Sequence, residues 1–263
     1  MKRIFVAALA AGPALVAAQQ AVTPASPITG NFSLVTDYRF RGISQTLGRP
    51  AIQGGFDYSH ASGIYLGNWN SNVSEAAGYP GGNLEMDFYG GWKKAFGDFG
   101  ADVGLLEYYY PGSKAEGAYG LGALANPNST DTNSGTVHNT EFYVGGTWKW
   151  LTLKAFYALT DYFMVPDTKG TYYLDLSGTY DLGTGWGLVG HVGHLNVHNF
   201  SDADYTDYRL GVTKDLTGWI VGATVVGTNA KGDAGQPYAF AKSGGGTYDA
   251  GKPTVVLSVS KTF

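Results

Sequence analysis

Residues 255–263 read VVLSVSKTF. Val255, Leu257, Val259 and Phe263 fall on one side of an alternating pattern, and Ser258, Ser260 and Thr262 fall on the other. Period-two alternation of β-rich residues predicts a strand with one apolar and one polar face. A strand at the end of a chain has an edge to satisfy. If its apolar side faces lipid, the sheet must close on itself, because no water is present to bond a free edge. Lys261 interrupts the apolar side, and near an interface its ammonium group can snorkel.

The same alternation recurs upstream. NFSLVTDYRF places Phe32, Leu34, Tyr38 and Phe40 opposite Ser33, Val35, Asp37 and Arg39. NLEMDFYGGW places Leu84, Met86, Phe88 and Trp92 opposite Glu85, Asp87 and Tyr89. Twelve such segments are legible: about 31–41, 51–60, 64–71, 83–92, 99–110, 139–148, 151–161, 171–180, 186–195, 205–214, 219–228 and 254–263. In the fifth, a bulge near Leu105-Leu106 is expected, because strict alternation would put Glu107 on the apolar face with Val103 and Leu105.

The connections sort by length. Every one after an odd segment is longer than every one after an even segment. Short turns at one end and long loops at the other are the pattern of an outer-membrane barrel. Proline agrees: Pro50, Pro80, Pro111, Pro127, Pro166, Pro237 and Pro253 all fall in the long connections, away from ladders to which Pro cannot donate. Trp92, Trp148, Trp150, Trp186 and Trp219 flank the short turns, which predicts an interfacial girdle at that end. The expected fold is all-β: a transmembrane, antiparallel, up-and-down β-barrel of about twelve strands over residues 31–263.

The N-terminus reads MKRIFVAALAAGPALVAAQQ. A basic start, a short apolar run and small residues before Gln19 predict a signal peptide over 1–18, with 19–30 as a loose periplasmic leader. Without Lys2 and Arg3, 15 Lys and Arg stand against 21 Asp and Glu, a net charge of −6. That surplus of acid argues against nucleic acid as a partner. The chain has no Cys, so disulfides and thiolate metal sites are excluded. No other apolar run approaches the ~18 residues of a membrane helix.

Several blocks together carry a family resemblance: VTDYRFRGISQTLGRPAIQGGFDY (35–58), GIYLGNW (63–69), LEMDFYGGW (84–92), EYYYPG (107–112), TEFYVGG (140–146), YYLDLSGTY (172–180) and YTDYRLGV (205–212) followed by GW. In this order they resemble the TorF-family porins, a group also described as bacterial protein of unknown function. The resemblance implies an outer-membrane barrel of a Gram-negative bacterium. It implies no substrate and no catalytic residue. The alternating last strand with Phe263 resembles the signal by which the outer-membrane assembly machinery recognises its clients.

Other motifs read blandly in this context. GWGLVG (185–190) has dinucleotide-fingerprint spacing but opens a strand rather than a helix. His191 and His194 sit an odd number of residues apart, so on a strand they face opposite ways. His194, His198, Asp202 and Asp204 gather at one loop, as a surface cation site or a solvated loop. No nucleophile constellation occurs, and neither an enzyme nor a cofactor is expected.

Alternation assigns the inward face. Its acids are Asp37, Asp57, Glu85, Asp87, Glu141, Asp175 and Asp207; its bases are Arg39, Arg41, Lys154 and Arg209. Arg39 and Arg41 read either as part of an ion-pair network or as a basic rung touching solute. The acidic excess focuses a negative field in a narrow lumen. The expected function is an outer-membrane porin: a mildly cation-selective, passive channel for small hydrophilic solutes. A twelve-stranded barrel has a narrow lumen, and the 111–138 connection is long enough to fold into it. The alternative is a structural or adhesive barrel with a plugged lumen.

Overall fold

The computed structural model describes residues 26–118, 126–242 and 244–263. Twelve antiparallel strands close into one barrel. They are β1 (Ile28–Val35), β2 (Ala51–Ser59), β3 (Ile64–Asn72), β4 (Leu84–Phe96), β5 (Phe99–Tyr109), β6 (His138–Trp148), β7 (Leu151–Ala158), β8 (Tyr172–Gly183), β9 (Trp186–Asn196), β10 (Tyr205–Leu216), β11 (Trp219–Thr228) and β12 (Thr254–Thr262). Each strand pairs with its sequence neighbours, and β12 returns to pair with β1 over Asn31↔Thr262 to Val35↔Ser258. Phe263 adds two backbone hydrogen bonds to Gly30. The signal-peptide segment lies outside the described residues, and β1 begins at Ile28, inside the segment expected as leader.

The alternation has the physical consequence expected of it. Phe56, Leu66, Phe88, Leu105, Val144, Leu153, Leu174 and Leu210 lie exposed on the outer face. With the edges closed, this apolar surface suits lipid, and the ladder satisfies the backbone. All five short turns lie at one end of the barrel, and all six long connections lie at the other. At Thr184-Gly185 and Thr217-Gly218 both turn residues have positive φ, the geometry of a two-residue hairpin that matches strand twist.

Trp92, Trp148, Trp150, Trp186 and Trp219 stand at the short-turn end with their rings partly exposed. Lysines cover several of them. Lys149 lies over Trp148, Lys214 over Trp186, and Lys261 over both Trp219 and Phe263 at 5.0 and 5.1 Å. Lys261 therefore sits on the outer face by laying its stem along aromatic rings.

Two sequence expectations need correction. The bulge in β5 is absent: the registers to β4 and β6 run without a shift. Glu107 faces outward, where His138 Nδ1 (3.1 Å) and Thr140 Oγ1 bond its carboxylate. Local pairing, rather than a change of face, answers the charge. The second correction concerns the first strand, which ends at Val35 instead of continuing to residue 41. Residues 37–46 turn into the barrel and are all buried.

Candidate functional site

The inward turn is built on Asp37. Its carboxylate accepts hydrogen bonds from Arg39 Nε (2.6 Å), Ser44 Oγ (2.6 Å), Thr46 Oγ1 (3.0 Å) and the Gly48 amide (3.2 Å). These bonds fold the chain into a small hairpin, Arg39–Phe40 against Ile43–Ser44. Its two turn residues, Arg41 and Gly42, have φ of 46° and 81°. Gly42 is required twice over. It adopts positive φ, and a Cβ there would lie 2.4 Å from Thr228 Cγ2 and 2.7 Å from Asp207 Cβ.

This hairpin spans the lumen. On one side, Arg39 Nη1 donates to the carbonyls of Ala250 (2.9 Å) and Lys252 (3.1 Å), just before β12. Tyr38 donates its hydroxyl to Glu85 on β4 at 2.9 Å. Arg41 reaches β6, five strands away around the ring of twelve. There its guanidinium forks onto Glu141 at 3.0 and 2.7 Å. The aromatic rings of Tyr173, Phe40, Phe156 and Tyr162 surround it, with Tyr173 at 4.3 Å. Burial opposes the Arg41 charge, but Glu141, with Tyr162 and Tyr108, outweighs it and holds the pKa above its ordinary value.

Accessibility turns these contacts into a statement about the lumen. A wall residue beside a water-filled passage is wetted. Here Tyr38, Glu85, Asp87, Tyr108, Glu141 and Asp207 are all at 0–1% exposure. At this level the cross-section is filled, and 37–46 is the plug. The long 110–137 connection is not the plugging segment in its described part. It lies over the neighbouring loops, through Asn126 to the Pro166 carbonyl, Asn128 to the Asn199 carbonyl and Asn133 to Asp161.

The remaining expected site residues point inward from the strands. Lys154 bonds Asp102 at 2.7 Å. Asp175 and Asp207 hold His191 between them, at 3.0 and 2.7 Å. Arg209 is half-buried on the same wall, where Asp175 and Asp207 attract its charge. Asp57 accepts from Tyr89 (2.6 Å) and Asn31 (3.4 Å) near the short-turn end, and neither Arg39 nor Arg41 bonds it. Glu85 and Asp87 differ from the rest. No basic side chain bonds either among the described residues; the Asp87 oxygens meet no N–H or hydroxyl donor, and the two carboxyls lie within hydrogen-bond reach of each other.

Four contributors escaped the sequence reading. Asp102 was obscured by the expected bulge in β5. His191 lies on the inward face by simple alternation, but a neutral imidazole adds no formal charge to that face. Tyr65 and Tyr143, hydroxyl to hydroxyl, carry no charge and so no electrostatic signal. The His194, His198, Asp202 and Asp204 group separates instead of converging. His194 bonds Thr206, Asp202 bonds Lys231, and Asp204 accepts from Asn196 and the Val197 amide.

Among solved structures, the chain is similar to the KdgM porin in complex with disordered oligogalacturonate, at 7% identity and TM-score 0.48, covering 90% of this chain and 97% of that one. It is similar to OprB of Pseudomonas putida at 9% identity and TM-score 0.40, covering 87% and 61%. It is also similar to a FadL homologue of Pseudomonas aeruginosa, at 12% identity and TM-score 0.36, covering 90% and 89%. No protein of curated function matches the sequence. A family model matches residues 19–263, nearly all of the chain, and the protein therefore belongs to Gcw_chp, a family of bacterial proteins of unknown function.

Proposed function

We propose that this is an outer-membrane channel of the TorF porin type, closed at rest by the segment 37–46. Its outer face and aromatic girdle suit the outer membrane, and Phe263, hydrogen-bonded to Gly30 at the closing seam, acts as its assembly signal. When the plug withdraws, the polar wall passes small hydrophilic solutes.

One observation carries the reading. The plug covers Glu85 and Asp87 without bringing a counter-charge to either. Buried that way, the pair either loses its hydration as anions, at several kcal/mol per ion, or has to take up protons. A barrel built only as a scaffold gains more from apolar packing at those positions. A wall that meets water in its open state needs acids there, and withdrawal of the plug restores their hydration. Acids outnumber bases along the inner face, which favours cations. The second reading, a permanently plugged structural barrel, draws on the close packing of Phe40 against Tyr108 and Phe163 at 5.3 and 5.7 Å.

Recording refolded protein in planar bilayers under a KCl gradient tests this reading. Infrequent openings with a cation-favouring reversal potential are expected, the preference shrinking as the Debye length falls from ~10 Å at 0.1 M to ~3 Å at 1 M salt. An anion-favouring potential contradicts the charge assignment. Complete silence, even with the plug anchor Arg41 changed to Ala, contradicts the channel and leaves the structural barrel.

A further inference from the structure

On the loop side of the plug the barrel holds a second, chemically different space. It is a cavity of about 70 Å³, larger than the ~10–15 Å³ that one water needs. Its inner wall is the plug itself, Phe40 and Ile43. Another wall is the segment 162–165, through Tyr162, Phe163 and Val165. Phe200, Tyr205, Tyr238 and Phe240 supply further rings, and Ala77 and Ala203 leave the room.

Of the polar side chains lining this cavity, Gln45, Tyr79, Tyr162 and Tyr238 are already engaged. Gln45 accepts from Tyr79 (2.6 Å) and donates to the Ile43 carbonyl (3.1 Å). Tyr238 donates to the Ala203 carbonyl (2.6 Å). Tyr162 takes a bond from Arg41 (3.1 Å). A polar occupant would find few free partners, and an apolar cavity is a poor site for water. An aromatic cage can also attract a quaternary ammonium ion, but here the Arg41 guanidinium lies behind Tyr162 and Phe40 and opposes a cation. The turn that carries Tyr162 and Phe163 is also strained. Phe163 and Met164 both hold positive φ, 48° and 62°, a conformation that bulky residues adopt at a cost and that clusters at binding clamps.

We propose that this cavity is a binding site for a small, uncharged, single-ring aromatic molecule. The proposal stands on the cavity and not on the channel reading, so it is tested without conductance. Toluene is titrated into detergent-refolded protein carrying labelled isoleucine methyls. Ile43 lines the cavity, whereas Ile52 and Ile64 lie exposed on the outer face and report partition into detergent. A saturable shift at Ile43, absent at Ile52 and Ile64, is expected. Ala203→Leu fills the space and should weaken binding at least tenfold. Phe163→Ala enlarges it and should admit naphthalene, which the parent excludes. The proposal is overturned if Ile43 moves no more than Ile52, if Ala203→Leu binds as the parent does, or if tetramethylammonium competes with toluene.

Discussion

The two halves of the lumen are built on different rules. Toward the short turns, polar side chains bond their neighbours along the wall: Tyr89 to Asp57, Tyr65 to Asp102, Lys154 to Asp102. Asp57, Asp102, Asp175, Ser177 and Thr179 remain partly open to water there. Toward the loops, bonds cross the lumen instead of following it, and they close over a dry aromatic core in which Tyr79 stacks on Tyr110 at 3.8 Å. The difference teaches that a barrel's wall and its contents are specified separately. The wall comes from alternation, whereas the contents come from one segment that leaves the wall.

The sharpest way to break this contrast is to remove the anchor opposite the plug. Glu141→Ala leaves the Arg41 guanidinium buried without its counter-charge, which costs about 3–5 kcal/mol unless the segment swings out. Trypsin should then cut after Arg39 or Arg41, bonds that are protected in the parent, and bilayer openings should become frequent. An unchanged digestion pattern would mean that the crossing bond does not hold the plug. A smaller effect is expected from Tyr38→Phe, which strips Glu85 of its hydroxyl donor. Loss of about 1–3 kcal/mol in urea unfolding is predicted for an acceptor left buried and unbonded. The smallest belongs to the other half. Asp57→Asn touches a part-exposed network and should cost less than ~1 kcal/mol. If Asp57→Asn proved as damaging as Tyr38→Phe, the two halves would not differ in the way described.

Much of the wall was legible in the sequence, because period-two patterning is local: the strand faces, the loop sorting and the tryptophan positions all follow from neighbours a few residues apart. The plug was not, for two reasons. DYRFRG continues the alternation of NFSLV without a break, and a small hairpin alternates as well as a long strand does. Only Gly42, at the second position of a turn that needs positive φ, marked the reversal. The other reason is distance. Arg41 and Glu141 lie a hundred residues apart in the chain, and nothing local to either names its partner. Glu107 taught the converse lesson. A carboxylate on the apolar face looked like a register error, and it proved to be a charge answered in place by His138 and Thr140.

Because the chain has no cysteine, a single introduced thiol reports one position only, and this gives the most direct test of a closed, dry loop half over a wetted turn half. Ser44→Cys places a near-isosteric thiol in the plug, where Ser44 is fully buried; Thr179→Cys places one on the inner wall near the short turns, where Thr179 is partly exposed. Refolded proteins are treated with a membrane-impermeant maleimide and the labelling rates compared. Thr179→Cys should react nearly as fast as a free thiol. Ser44→Cys should react at least about a hundredfold more slowly, limited by a plug opening that costs ~2.7 kcal/mol or more, and Glu141→Ala should remove most of that protection. Equal rates at the two positions in otherwise unaltered protein would contradict the account.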